Sequence, residues 1–266
     1  MEGGLTPALE DRIAANRRRA ALMLVAAAGT VSVVVWVVAL VLGAPLAGVV
    51  VAVVAGLAVA GVAYGTCDAL ALALARARPA DAVEHARLHN VVEGLCFSSG
   101  LPKPQVLVVV DDALNALSAG RSPKRAAVAV TTGLLAHLNA VEMEAVVAHE
   151  LSHVKSYDVL VSTLAVPLVA LPASVLPGAG GARLVGAVVG SRREPVADLS
   201  GVALTRYPPA LISALEKLRD GEVAVRAARR ATGRAIAHLW IHPPVTGVTV
   251  VTHPPLAERI EALREL

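Results

Sequence analysis

The sequence predicts a mainly helical α+β fold. It consists of an N-terminal transmembrane helical hairpin, then a mixed domain with a small β-sheet and an inserted, membrane-associated hairpin. Three observations predict it. No charged residue stands between Arg19 and Asp68. Two short apolar segments, residues 106–110 and 126–131, read as strands. A helix starting after Asn139 carries His149, Glu150 and His153 together. Composition agrees: the 266 residues are 56% hydrophobic, 17% charged and 2% aromatic, with mean hydropathy +0.65. A soluble domain is about 45–50% apolar and about 25% charged. That balance excludes disorder, collagen and, with two cysteines, a disulfide scaffold. A net charge of +3 leaves no electrostatic footprint for nucleic acid.

The elements follow in chain order. A span needs about 20 apolar residues, and residues 20–42 and 46–64 each supply one, joined by the turn Gly43-Ala44-Pro45. The stretch is too long for a signal-peptide core and has no convincing cleavage site. Arg17, Arg18 and Arg19 precede the hairpin, Arg76 and Arg78 follow it, and its loop has no basic residue. Positive charge therefore places both ends in the cytoplasm of a cell-membrane protein, with Tyr64 near the interface. A reducing compartment suits two unpaired cysteines. The expected organisation is a basic N-terminus (1–19), a hairpin (20–67) and a cytoplasmic domain (68–266) with an insertion at 159–190.

Beyond Pro79, residues 81–96 read as a helix with Leu88, Val91, Val92 and Leu95 on one face. Residues 106–110 form a strand, 111–122 read as loop, and 126–131 form a second strand ended by Gly133. Asn139 with Glu142 three residues on is a capping-box pattern, opening a helix that runs to about Tyr157. Residues 159–177 are apolar and carry Pro167, Pro172 and Pro177; residues 178–181 are glycine-rich. Residues 184–190 rise only about 10 Å as helix. The 159–190 segment is therefore expected to enter from the cytoplasm and return, with its tip at 178–181. Residues 208–219 form an amphipathic helix, 222–234 are rich in Arg and Ala, and 255–266 form a short charged helix.

His149-Glu150-Leu151-Ser152-His153 fits H-E-x-x-H. Histidines at i and i+4 lie about 40° apart around a helix and about 6 Å along it, so both rings reach one metal ion. Glu150 stands beside them, placed to take a proton from water. Two histidines leave a catalytic Zn²⁺ one protein ligand short. Glu194 is the candidate, and Asp198, four residues on, could accept a ligand histidine's second ring N–H. From spacing alone Glu194 reads equally well as a counter-charge to Arg192 and Arg193.

Together these residues resemble the HtpX-like membrane zinc metalloproteases, gluzincins related to the CAAX prenyl endopeptidases. The matching text includes Gly100-Leu-Pro-Lys-Pro, Asn115-Ala-Leu-Ser-Ala-Gly-Arg and Ala127-Val-Ala-Val-Thr-Thr-Gly-Leu-Leu. It continues with Glu144 through Lys155, Asp158, Ser191-Arg-Arg-Glu, Ala197-Asp198, Gly201, Ala237-His-Leu-Trp-Ile, His253-Pro-Pro and Arg259-Ile260. The resemblance implies Glu194 as third zinc ligand. It also implies His253 and Asn115 as oxyanion or substrate contacts, where the residues alone suggest a C-terminal turn and a loop cap. Three features depart from the family pattern. Pro195 replaces an aromatic, which suggests Glu194 at a helix start with Pro195 at the first helical position. The 159–190 segment is short of two full crossings. His242 replaces a different polar residue, and is either neutral or a stray metal ligand.

The reading that results is a membrane-tethered zinc endopeptidase. His149, His153 and Glu194 hold one Zn²⁺, Glu150 is the general base, and unfolded or misfolded membrane proteins are the implied substrates, in quality control under stress. If the 126–131 strand is a sheet edge, an extended polypeptide can pair with it through backbone hydrogen bonds; the alternative is a core strand paired on both sides. A non-catalytic or single-partner membrane metalloprotein sensor is the rival. The intact Glu150 argues against it, because structural zinc sites need no general base.

Overall fold

The computed structural model describes residues 7–174, 180–221, 234–243 and 252–266. Two long helices come first, α1 (Pro7–Val41) and α2 (Pro45–Ala75). Both are long and apolar enough to cross a membrane, and both run well beyond the 20–42 and 46–64 cores. They pack closely through small residues. A Cβ on Gly56 would run into Ser32 and Ala28, one on Gly48 into Ala39, and Ser32 Oγ donates to the Ala52 carbonyl at 2.9 Å. Their outer faces carry exposed Val33, Val37, Leu57 and Val62.

A four-stranded sheet follows, in the order β1-β2-β4-β3: β1 (Arg78–Pro79), β2 (Gln105–Val109), β3 (Ala116–Ser122) and β4 (Arg125–Thr131). β2 and β4 run parallel, and β3 pairs antiparallel with β4. This corrects one expectation and decides between two alternatives. Residues 116–122 are strand rather than loop; the segment lacks β-branched residues, and its pairing with β4 supplies what local propensity does not. β4 is central, flanked by β2 and β3, so it is no edge and cannot accept an added strand. Side chains alternate across the sheet. Val106, Val108, Val128 and Val130 face a core with Leu88, Val92, Met143 and Val146, whereas Leu107, Val109, Leu117 and Ala129 pack with Trp240 and with Ala71 and Ala75 of α2.

Helix α3 (Ala86–Ser99) begins later than expected, because the Asp81 carboxylate accepts from the Val83 and Glu84 N–H groups and holds a turn there. It ends at Gly100, φ 68°. Residues 132–137, where Gly133 was expected only to end a strand, form a short helix, α4 (Thr132–His137), capped by the Thr131 side chain. Helix α5 (Ala140–Lys155) has the capping box its sequence announces: Asn139 Oδ1 accepts from the Val141 and Glu142 N–H groups, and Glu142 Oε2 accepts from the Asn139 N–H.

Tyr157, φ 59°, turns the chain by 85° into α6 (Asp158–Ala165), a π turn over Val166–Ala170 and α7 (Leu171–Ala173). Pro167 lies in the π turn, where its missing N–H breaks the α ladder. Helix α8 (Gly180–Val189) returns, with Gly181 against the Ala173 carbonyl. The arms, 158–173 and 180–189, rise about 24 Å and about 15 Å, each short of a roughly 30 Å hydrocarbon core. Part of the expected 178–181 tip lies outside the described residues, as do residues 222–233. Helices α9 (Arg193–Thr205), α10 (Pro208–Asp220) and α11 (Leu256–Arg264) complete the fold, with a 3₁₀ turn at Ala237–Leu239.

Candidate metal centre

Helix α5 presents His149, Glu150 and His153 inward, and α9 crosses it closely enough to bring Glu194 opposite. Gly201 permits the approach: a Cβ there would sit 2.9 Å from the His149 nitrogen. Glu194 is in the first turn of α9, which starts at Arg193. Pro195 therefore occupies the third helical position rather than the first, and an N–H is still dispensable there.

His149 Nε2 lies 3.3 Å from His153 Nε2 and 3.3 Å from Glu194 Oε2; His153 Nε2 lies 3.6 Å from Glu194 Oε1. One donor atom from each of the three falls within 4.8 Å of the others, and all three side chains are buried. The far ring nitrogens meet carboxylates: His149 Nδ1 is 2.8 Å from Asp198 Oδ1, and His153 Nδ1 is 2.7 Å from Asp158 Oδ2. With His153 Nδ1–H donated to Asp158 and His149 Nδ1 beside Asp198, the two Nε2 atoms and a carboxylate oxygen face one another. Such a set is repulsive by itself and suits a cation at its centre. The electrostatics show the same demand for positive charge, which a proton on His149 or a metal cation can meet. Burial disfavours a charged His149, but Asp198 and Glu194 outweigh it and push its pKa up to about 9. Burial likewise opposes ionisation of Glu194, yet His253, Arg193 and His149 hold its carboxyl well below the usual range. Beside this cluster, both carboxylate oxygens of Glu150 are buried with no hydrogen-bond partner among the described residues. A buried carboxylate without partners is costly, and a water held between it and a metal ion would satisfy it. The donor set fits a divalent metal: two imidazoles and a carboxylate supply three ligands, one fewer than a tetrahedral site takes.

His253 lies against the cluster, Nε2 3.3 Å from Glu194 Oε1, with its Nδ1 2.8 Å from the Thr252 hydroxyl. Asn115 is engaged elsewhere. Its Nδ2 donates to the His242 carbonyl at 2.6 Å and its Oδ1 accepts from the His242 N–H, clasping the 240–242 segment to the start of β3. His242 is not among the converging donors; burial pushes its pKa down to about 4. Three charged residues at the site had no role assigned from sequence. Arg259 forks onto Asp198, with Nε and Nη2 at 2.8 and 2.7 Å, and its Nη1 lies 3.3 Å from Glu194. Asp158 holds His153. Arg193 bridges Asp158 and Glu194, 3.5 and 2.8 Å from its Nε. Arg259 had a legible signal: it lies on the same face of α11 as Leu256, Ile260 and Leu263, where an arginine needs a buried partner.

Comparison with known proteins gives a consistent picture. The profile of Peptidase family M48 matches residues 82–266. The Protease HtpX homolog of Tropheryma whipplei (strain Twist) is 37% identical over 231 residues, covering 74% of this chain and 78% of that protein. The Protease HtpX homolog of Pyrococcus furiosus is 36% identical, covering 76% and 81%. That of Streptococcus gordonii is 32% identical and covers 97% of this chain and all of its own length, 100%. No solved structure matches the chain.

Proposed function

The chain belongs to peptidase family M48, among its HtpX-type membrane metalloproteases, and from that premise we propose that it is a zinc endopeptidase acting on unfolded or misfolded membrane proteins at the cytoplasmic face. The observation that carries the chemistry is the convergence of His149, His153 and Glu194 beside a buried, partnerless Glu150. In this reading the three converging residues hold Zn²⁺, which when bound polarises the scissile carbonyl and lowers the pKa of the attacking water toward about 7. Glu150 takes the water's proton and returns it to the leaving amine. Asp198 keeps the His149 ring in the tautomer that leaves Nε2 available, and Arg259 keeps Asp198 in place. His253 is the candidate for a substrate contact, its ring seated against Glu194. Asn115 serves the site by fastening the 240–242 segment to the sheet.

An extended polypeptide substrate would pair with β3 only by displacing the 240–241 segment that already meets its outer edge. β3 is the outermost strand on the side that packs against α5. Its outer edge meets Trp240 and Ile241 near Ala116 and Leu117, and Thr163 at Gly120. The basic residues flanking the apolar stretches of α1 and α2 favour a cytoplasmic site, and the short arms of the 158–189 hairpin favour a segment that enters the membrane and returns.

Replacing Glu150 by Gln removes the base and no ligand. Casein-type cleavage by the detergent-solubilised Glu150→Gln chain is expected to vanish while its zinc content stays that of the wild type. Full activity in that variant would sink the mechanism.

A further inference from the structure

We propose that Asp158 and Arg193 form a second positioning pair, which sets His153 and Glu194 for metal binding and ties that setting to the base of the inserted hairpin. The proposal rests on the zinc reading above. Asp158 is the first residue of α6 and Arg193 the first of α9, so the two mark the beginning and the end of the 158–192 excursion. Between them runs a continuous chain of polar contacts. The His153 ring meets Asp158 Oδ2 at 2.7 Å, that oxygen lies 3.5 Å from Arg193 Nε, and Arg193 Nε lies 2.8 Å from Glu194 Oε1. The Asp158 and Arg193 side chains are 10% and 6% exposed, so water competes little for these bonds. The arrangement parallels Asp198 and Arg259 on the other histidine, with one difference. Asp198 and Arg259 sit on α9 and α11, away from the hairpin, whereas Asp158 and Arg193 stand at its two feet.

The physical consequence is direct. Nδ1–H donation to Asp158 fixes the His153 tautomer and ring plane. The shared guanidinium holds the Glu194 carboxylate and stops Asp158 from swinging away. Anything that parts the feet of the hairpin separates Arg193 from Asp158 and loosens two of the three converging residues together. The turn between α5 and α6 is braced from a third side. Asn16 Nδ2 of α1 donates to the Ser156 carbonyl at 3.0 Å, and the Arg17 guanidinium lies over the Tyr157 ring at 5.1 Å.

The test uses the full chain in detergent. Zinc affinity is measured by competition with a chelator, and the visible absorption of the cobalt(II)-loaded protein reports the ligand geometry. Asp158→Asn and Arg193→Gln are expected to weaken zinc about 10–100-fold and to shift the cobalt spectrum. Arg193→Lys, which keeps the charge but bridges less well, is expected to fall between Arg193→Gln and wild type and serves as the folded control. A purely structural role for the pair would lower thermal stability and leave the cobalt spectrum of the folded fraction unchanged; that outcome, or zinc affinity within twofold of wild type in Asp158→Asn and Arg193→Gln, overturns the proposal. If the variants lose zinc as expected while neither they nor the wild type cleave protein, the pair stands and the protease mechanism falls. A wild type that binds no zinc overturns both.

Discussion

His149 and His153 differ from His89, His137 and His238 in what their rings meet. His89, His137 and His238 each face a backbone carbonyl, and burial pushes the His238 pKa down to about 3, a neutral ring in the core. His149 and His153 instead face carboxylates on one side and each other on the second. The H-E-x-x-H spacing identifies them in the sequence, because i and i+4 residues share a helix face. Glu194 and Asp198 are harder to separate, since both are acidic and four residues apart. The geometry assigns them different tasks: Glu194 points at the Nε2 atoms and Asp198 at the His149 Nδ1. Glu194→Gln is therefore expected to lose metal sharply, whereas Asp198→Asn keeps measurable zinc with affinity down about 10–100-fold. Zinc titration of the two variants checks this, and the reverse order would exchange their roles.

Among the elements, α5 is the most legible, and its first turn is fastened from two sides. Its first turn is tied to α10 as well as to its own cap: Glu142 Oε1 accepts from the Ser213 hydroxyl and Oε2 from Lys217, at 2.6 and 2.7 Å. Burial alone would raise the Glu142 pKa, but Lys217, Ser213 and the Asn139 N–H outweigh it and hold the carboxyl below its ordinary value of 4.5. A depressed carboxylate stabilises the fold above its unfolded pKa and loses that contribution as pH falls through its folded one. Glu142→Gln is accordingly expected to lower stability at neutral pH by about 1–3 kcal/mol, with the gap to wild type closing below pH 4.5. Thermal unfolding of both proteins across that range checks the sign. The β3 strand is the opposite case: Ala116–Ser122 carries no propensity or alternation that marks a strand, and only its pairing with β4 makes it one.

Over the whole molecule, the long helices and the rest of the fold are fastened together rather than strung on a linker. Arg121 of β3 reaches Asp68 of α2 at 3.0 Å and the Tyr64 carbonyl at 3.1 Å, while Asn16 and Arg17 of α1 grip the turn between α5 and α6. These contacts bring α1 to within one residue of Asp158 along the chain. The proposed topology, with the 158–189 hairpin entering and returning, is open to a labelling test. Cys67 and Cys96 are buried, and a side chain at Gly180 meets nothing within 4 Å. A Gly180→Cys chain is expected to resist an impermeant thiol reagent applied to intact cells. Strong labelling from outside would establish two full crossings instead.

The sequence by itself determined the features that depend on neighbours along the chain. These are the two long apolar helices, the capped α5 helix, and the placing of His149, Glu150 and His153 together on it. All are set by periods of a few residues and by local hydrogen bonds. Tertiary structure alone decided the rest: β4 lies inside the sheet and β3 at its margin, Glu194 rather than Asp198 faces the Nε2 atoms, and Asn115 clasps His242. It also decided that Asp158, Arg193 and Arg259 close around the site from elements far apart in sequence. The reason is that a buried charge is defined by its partner. Arg259 and Asp198 are 61 residues apart along the chain, a separation across which no local pattern names one as the other's partner.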